Sequence, residues 1–137
     1  MKLRSPNPIL YATELSAGFD ILAHLPDGKE IFLHPGRVEI IPTGLYVEEY
    51  EEDECLFILP KSGLAAKWGV TVCNSPGLVD VDFSLEVKVI LINHGMTTFT
   101  IKNGMKIAQG FLSHYESLVG AIRPKTVRVG GFGSTGA

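Results

Sequence analysis

The most constraining feature of this chain is an alternation of apolar and polar residues with a period of two along most of its length. Residues 38–41, 56–59, 87–92 and 99–101 are examples rich in β-branched or aromatic side chains. Successive side chains of a strand point to opposite faces of a sheet, so this pattern predicts β-strands. Turn signals such as Pro-Asp-Gly at 26–28 recur about every eight to twelve residues, a spacing typical of an all-β barrel or jelly roll.

One short helix is predicted between the strands. Ser62 can cap it, residues 64–68 (Leu-Ala-Ala-Lys-Trp) can form it, and Gly69 can end it. At 137 residues the chain is long enough for one domain with a real core. The predicted fold is therefore all-β, a jelly-roll-like distorted β-barrel with one short helix.

Composition excludes several classes of protein. The net charge of −3 argues against a nucleic-acid partner. No apolar run reaches transmembrane length and the first residues have no apolar leader core, so we expect a cytoplasmic protein without a membrane partner. Cys55 and Cys73 are expected to be reduced thiols, and the four histidines have no metal-ligand spacing.

The last eleven residues differ from the rest of the chain in composition. Residues 127–137 carry four glycines, too many to pack a core, together with Arg128, Phe132 and two hydroxyls. Arginine suits phosphate, a phenyl ring suits a flat base, and flexible backbone amides can surround an anion. The sequence therefore predicts a domain at 1–126 and a flexible arm at 127–137 that closes over a nucleotide phosphate. The alternative is an ordinary disordered end.

Four further segments accompany this arm: residues 17–20 (Ala-Gly-Phe-Asp), 60–65 (Pro-Lys-Ser-Gly-Leu-Ala), 74–83 (Asn-Ser-Pro-Gly-Leu-Val-Asp-Val-Asp-Phe) and 104–109 (Gly-Met-Lys-Ile-Ala-Gln). In this order and at these spacings, with Gly-Gly-Phe-Gly-Ser-Thr-Gly at 130–136, they resemble the five motifs of the homotrimeric dUTP pyrophosphatases (dUTPases). The resemblance implies Mg²⁺-dependent hydrolysis of dUTP to dUMP and pyrophosphate. It also implies a homotrimer whose sites each draw on three subunits.

Segment 74–83 is predicted to bind the base and the sugar. Ser-Pro-Gly at 75–77 indicates a turn between two short strands, and a tight hairpin leaves no room for the 5-methyl group of thymine. By resemblance, the Asn74 side chain and the backbone around Gly77 and Val79 hold uracil. Phe83 stands where the family usually has a tyrosine stacked on deoxyribose. Without the resemblance, a core aromatic would be the favoured interpretation of Phe83.

Asp80 is the predicted general base. It follows the turn, where a carboxylate can reach a water molecule beside the α-phosphorus, and it matches the family's catalytic aspartate. The alternatives are a turn aspartate without catalytic function, or Asp82 as the base. Asp82 ranks lower because the family also has uncharged residues at its position.

The remaining predicted substrate contacts come from the phosphate-binding segments and the arm. By resemblance, the phosphates are contacted by Lys61, Ser62, Gly63, Gln109, Arg128, Gly133, Ser134 and Thr135, while the Phe132 ring covers the base. Asp20 would orient water on a Mg²⁺ ion held mainly by the triphosphate, with no direct protein ligand. Simple helix capping by Ser62 and an exposed strand position for Gln109 are the alternatives.

Five positions depart from the family pattern. Lys61 replaces the usual arginine, Leu85 replaces a glycine, and residues 105–106 (Met-Lys) replace an acidic residue and an arginine. Arg128 lies one residue closer to Phe132 than in the commonest pattern. The two lysines indicate that an ion-pair network around the site is lost or rewired.

Two other functions remain open at this stage. A dCTP deaminase shares the fold, but would be expected to have Arg-Ser-Ser in place of residues 60–63 and to lack the arm. A non-catalytic regulatory trimer would bind nucleotide or a protein partner. The presence of Asp80 and of the arm argues against it.

Overall fold

The computed structural model of the chain describes residues 1–126, 128, 130–133 and 136. In this part of the chain ten strands and one helix follow one another: β1 Lys2–Arg4, β2 Phe19–Leu22, β3 Ile31–Leu33, β4 Val38–Glu49, β5 Glu54–Leu59, α1 Ser62–Trp68, β6 Val70–Val72, β7 Gly77–Asp80, β8 Val87–Asn93, β9 Phe99–Ile101 and β10 Lys106–His114. The predicted β-rich architecture with one short helix is confirmed.

The strands form two four-stranded antiparallel sheets and a two-stranded ribbon. The order is β1-β4-β8-β6 in the first sheet and β2-β10-β5-β7 in the second, while β3 pairs with β9. One apolar core lies between them. It takes Ile41, Val89 and Leu91 from the first sheet and Ile21 and Leu56 from the second. This arrangement is the predicted jelly-roll-like barrel.

The longest strand, β4, is predicted only over its first four residues because Pro42 ends the clear pattern. The strand continues past this proline through a bulge, where the register with β8 shifts between Pro42 and Leu45. Gly44 takes a left-handed conformation with φ of 70°. Glu86 Oε1 accepts hydrogen bonds from the backbone N–H groups of Thr43 and Gly44, so a side chain replaces the missing strand partners.

Helix α1 begins one residue earlier than the capping prediction requires. Lys61 is the N-cap, with extended backbone, and its carbonyl accepts the N–H of Ala65 at 3.1 Å. Ser62 is already helical, so the prediction that Ser62 caps the helix is wrong. The predicted end at Gly69 is confirmed, because this residue is left-handed with φ of 69°. No helix in the described ranges is both long and apolar enough to span a membrane.

Candidate active site

The turn at residues 73–76 leads from β6 into β7, but these two strands do not pair with each other. Strand β6 pairs with β8 in one sheet, and β7 pairs with β5 in the other. The predicted hairpin is therefore a crossover between the two sheets. A period-two pattern identifies a strand but not its partner in the sheet, so it does not distinguish a hairpin from a crossover. A pocket lies beside this crossover, lined by residues of β5, β7 and β8.

This pocket is a cavity of about 140 Å³. Seven of its lining residues are predicted site residues: Asn74, Gly77, Val79, Asp80, Phe83, Arg128 and Phe132. Sequence reasoning missed the others: Ile58, Leu78, Val87, Lys88 and Ile90. The missed residues belong to β5, β7 and β8, and only the sheet pairing shows that these strands meet at the pocket.

Gly77 is required by the close packing of the turn. A Cβ atom at this position would lie 3.2 Å from Ile58 Cβ and 3.5 Å from Asn74 Nδ2. Such a contact is tight enough to push the turn away from β5, because both neighbours belong to the pocket wall. Glycine thus lets Asn74 approach the pocket floor.

Asp80 and Phe83 are brought to the same pocket by a second turn. The Phe83 N–H donates to the Asp80 carbonyl at 3.1 Å. The Phe83 ring is half-buried and packs against the core. The ring therefore has a structural role, as the alternative interpretation of Phe83 expects. A Cβ atom on Gly131 would lie 3.0 Å from Phe83 Cε2, so the backbone of the arm rests directly on this ring.

Arg128 joins the arm to the predicted base. Its Nη2 donates to Asp80 Oδ2 at 2.6 Å, and its Nε lies 3.3 Å from Asp82 Oδ1. Phe132, also in the arm, is exposed and has a left-handed φ of 32°. Gly133 is exposed and does not line the pocket. The predicted contacts of Ser134 and Thr135 lie outside the described residues.

A second cluster lies on β2, β10 and the start of α1. Asp20 is buried, and its Oδ1 accepts a 2.6 Å hydrogen bond from Lys61 Nζ. Lys106 Nζ lies 2.8 Å from Oδ2. Burial alone would raise the pKa of Asp20, but the hydrogen bonds from Lys106 and Lys61 outweigh it and hold that pKa below its ordinary value. The ion-pair network is therefore rewired through two lysines and not lost.

Gln109 is tied to the loop before the helix. Its Nε2 donates to the Pro60 carbonyl at 2.9 Å. A Cβ atom on Gly18 would lie 2.8 Å from Gln109 Oε1, so glycine at this position makes room for the amide. Ser62 and Gly63 follow on the first turn of α1 and are exposed. The sequence motif around Gly18 thus serves the placement of a residue on a neighbouring strand.

The two clusters lie far apart on one chain. Asp20 on β2 pairs with Gln109 on β10, and Gln109 pairs in turn with Leu59 on β5. Asp80 on β7 pairs with Cys55, which lies four residues before Leu59 on β5. Gln109 and Asp80 are therefore separated by about 13 Å along the strands and about 10 Å across them. Directly paired residues share a face, so Asp20, Gln109 and Asp80 lie on the outer face of the same sheet. A single small ligand in the pocket does not reach the second cluster.

The described residues offer no group of three or more histidine, cysteine or acidic side chains placed to hold a metal ion. Asp20 Oδ2 is nevertheless a buried oxygen without a well-aligned hydrogen bond in this part of the chain. It retains a lone pair for a water molecule. The two adjacent ammonium groups oppose direct coordination of a cation by this carboxylate.

Comparison with known proteins places this geometry in a family. The family model described as dUTPase matches residues 6–136. The chain is 46% identical over 130 residues to a protein of Rickettsia akari named deoxyuridine 5′-triphosphate nucleotidohydrolase, covering 92% of this chain and 86% of that protein. A Rickettsia typhi protein of the same name is 45% identical over 136 residues, covering 96% and 90%. The chain belongs to the dUTPase family, as the five sequence segments predict.

Solved structures show the same fold. The dUTPase of Streptococcus mutans superposes with a TM-score of 0.73 at 20% identity, covering 82% of this chain and 88% of that one. A variant dUTPase from phage phi11 of S. aureus has a TM-score of 0.73 at 16% identity, covering 96% and 97%. That structure is described as revealing the coordination of a structural Mg(II) ion. The predicted dUTPase-like fold is confirmed.

Proposed function

We propose that this protein hydrolyses dUTP to dUMP and pyrophosphate. The observation that carries the proposal is that residues predicted to bind uracil, to stack on the sugar and to act as the base line one cavity: Asn74, Gly77, Phe83 and Asp80. Family membership supports the substrate, since the curated relatives are named deoxyuridine 5′-triphosphate nucleotidohydrolases.

In the proposed mechanism Asp80 accepts a proton from a water molecule that attacks the α-phosphorus. The bond from the α-phosphorus to the bridging oxygen breaks, and pyrophosphate leaves. The Asp80 carboxylate is half-exposed, so water reaches it from the open side of the pocket. General-base assistance of this kind contributes about 10²–10⁴-fold in rate. Arg128 must first release the Asp80 oxygen that it occupies.

Selectivity for uracil and deoxyribose comes from the walls of the pocket. The backbone near Gly77 and Val79 and the side chain of Asn74 pair with the edge of uracil. The close approach of Ile58 to Gly77 supports a tight fit that excludes a 5-methyl group. The Phe83 ring covers the sugar and leaves a ribose 2′-hydroxyl buried without a partner, which disfavours UTP.

The phosphates are bound by the second cluster and the arm. Lys61, Ser62, Gly63 and Gln109 supply charge, a hydroxyl and amide donors, and the arm supplies Arg128, Gly133, Ser134 and Thr135, while its Phe132 ring covers the base. We propose that residues 127–137 act as a mobile arm on the 1–126 domain. Preorganised donors at these positions would stabilise charge that develops on the leaving pyrophosphate.

Mg²⁺ is the proposed cofactor, held mainly by the triphosphate. The spare lone pair on Asp20 Oδ2 fits a water molecule of the hydrated ion, while the two lysines hold the carboxylate in place. A bound Mg²⁺ would neutralise phosphate charge and fix the conformation of the chain of phosphates. Asp20 would thus orient the ion's water shell without entering it.

A homotrimer with shared sites is proposed because one chain holds the two clusters too far apart for one nucleotide. A second copy can place its Asp20–Gln109 cluster beside the Asp80 pocket of the first, and a third can supply the arm. An apolar row on the same outer face suits such contacts: Leu78 is exposed beside Phe57, which stacks on Phe111 at 6.4 Å. Exposed apolar rows of this kind commonly mark interfaces.

The function is tested by pyrophosphate release from dUTP, dCTP, UTP and dTTP, with and without Mg²⁺. We expect rapid release from dUTP only, and only with Mg²⁺. Ammonia release from dCTP would move the protein to the deaminase class. Nucleotide binding without turnover of any of the four would make it a regulatory trimer.

A further inference from the structure

Arg128 bridges two carboxylates with two different nitrogens. Nη2 contacts Asp80 at 2.6 Å, and Nε faces Asp82 at 3.3 Å. The guanidinium is the more buried partner, with a quarter of its side chain exposed against nearly half for each carboxylate. Asp82 has no part in the proposed chemistry, yet it holds one side of this arginine.

We propose that Asp82 is a positioning residue that latches the arm over the pocket when no nucleotide is bound. The latch is the bridge Asp80–Arg128–Asp82. Nε makes no hydrogen bond within the described residues, so Asp82 acts through its charge: its carboxylate, 3.3 Å from Nε, attracts the guanidinium and keeps Nη2 beside Asp80. The proposal rests on the proposed function in one respect, which is that this pocket receives the nucleotide.

The latched arm and the nucleotide compete for the same space. Arg128 and Phe132 both line the cavity, and Gly131 covers the Phe83 ring on which the sugar would stack. The Asp80 oxygen that holds Nη2 also cannot accept a proton from water. Nucleotide entry therefore requires the arm to leave, and the latched fraction lowers the apparent affinity of the open pocket.

The bridge lies within one chain. In the proposed trimer, the released arm is then free to cover the nucleotide on a neighbouring subunit. A triphosphate offers Arg128 a stronger partner than two half-exposed carboxylates, because it concentrates several negative charges and acceptor oxygens in one place. The latch thus holds Arg128 at the pocket at rest and yields to the substrate.

Asp82→Asn tests the latch on the full-length protein. Half-exposed ion pairs are weak, so we expect the variant to bind dUMP about two- to fivefold more tightly than wild type. Trypsin should also cut after Arg128 faster by a similar factor in the absence of nucleotide. Glu116→Gln is the control, since it removes one exposed carboxylate that does not contact Arg128 and should change neither quantity.

A double-variant cycle separates the latch from a general charge effect. Once Arg128→Ala has removed the guanidinium, adding Asp82→Asn should change dUMP affinity no further. Equal effects of Asp82→Asn with and without Arg128 would overturn the latch, as would unchanged dUMP binding and unchanged cleavage in Asp82→Asn. Failure of the wild-type protein to bind dUMP at all would instead overturn the proposed function, and the cleavage assay would still test the latch.

Discussion

Asp20 and Lys61 form a hydrogen-bonded ion pair of 2.6 Å that joins β2 to the start of α1. The lysine stands where the family pattern usually has arginine, and it makes one contact to one carboxylate oxygen. Lys106 takes the other oxygen at 2.8 Å. Two single-point lysine contacts therefore replace what one forked guanidinium could supply, and the carboxylate stays charged although it is buried.

The pH dependence of stability should report this pairing. The folded pKa of Asp20 is lowered from its ordinary value of 3.8. The carboxylate therefore stabilises the fold above that pH, and the contribution is lost as the pH falls through the folded pKa. Asp20→Asn should lower the free energy of unfolding by about 1–3 kcal/mol at pH 7. The difference should shrink below about pH 4.

Chemical denaturation across pH 2.5–8 would measure this difference. Glu30→Gln is a suitable control, because it breaks only an exposed pair with Lys102 and should cost less than about 1 kcal/mol at any pH. A difference between wild type and Asp20→Asn that stays constant down to pH 2.5 would contradict the pairing.

Lys61 should matter through its charge and less through its shape. Lys61→Arg keeps the cation beside Asp20 and should hold kcat/KM for dUTP within about threefold of wild type. Lys61→Met removes one charge-assisted contact, which is about 1.5–3 kcal/mol or roughly 10–100-fold in kcat/KM. Steady-state measurement of kcat/KM for dUTP in the two variants and in wild type would separate the effect of charge from that of shape. Equal losses in both would mean that an exact side-chain shape, and not the charge, is needed.

The parts of this fold that follow from the sequence are those with local signals, and the parts that do not are set by residues distant in sequence. The pattern at 99–101 predicts β9 with its observed bounds, and Gly69 predicts the helix end, because both signals are local. Continuation of β4 past Pro42 depends on Glu86, a residue distant in sequence. Strand β6 pairs with β8 and strand β7 pairs with β5, and neither partner is its neighbour across the 73–76 turn. The local turn signal therefore predicts a hairpin where the fold has a crossover.

In the candidate site, too, local signals predict part of the structure, and contacts between residues distant in sequence do not follow from the sequence. The residue types at 74–83 predict the lining of the pocket, since they come from one continuous segment. The contact of Asp20 with Lys61 and Lys106 joins three separate segments, and only the fold brings them together. The distance between the two clusters likewise follows from strand register, which a single sequence does not determine.

Sugar selectivity should depend on the Phe83 ring. Phe83→Ala removes the surface that leaves a 2′-hydroxyl without a partner, a cost of about 1–3 kcal/mol. The ratio of kcat/KM for dUTP over UTP should then fall by about 5–150-fold. Phe32→Ala, at an exposed ring on β3, is the control and should leave the ratio unchanged. A ratio that survives in Phe83→Ala would assign sugar recognition to another group.

Removing the arm should separate binding from turnover. A chain stopped after Thr126 loses Arg128, Phe132 and the glycine-rich backbone, and in the structure none of the arm's described side chains belongs to the core. We expect an almost unchanged thermal midpoint and trimer, retained dUMP binding, and a collapse of hydrolysis. Near-normal hydrolysis by this chain would show that residues 127–137 have no catalytic role.

Mixed trimers would show whether the base and the arm of one active site come from different subunits. Coexpression of the truncated chain with Asp80→Asn should restore about a quarter of wild-type turnover, because each site then draws its base and its arm independently from the two chain types. Each variant alone is the control and should be nearly inactive. No restoration in purified mixed trimers would mean that base and arm belong to one chain.

Single-turnover release of pyrophosphate from dUTP by wild type, Asp80→Asn and Asp82→Asn tests the central claim most directly. We predict that Asp80→Asn binds dUTP but reacts about 10²–10⁴-fold more slowly, because it lacks the proton acceptor. Asp82→Asn should react within a few-fold of wild type. A rate for Asp80→Asn close to that of wild type, or a larger loss in Asp82→Asn, would contradict the assignment of Asp80 as the base.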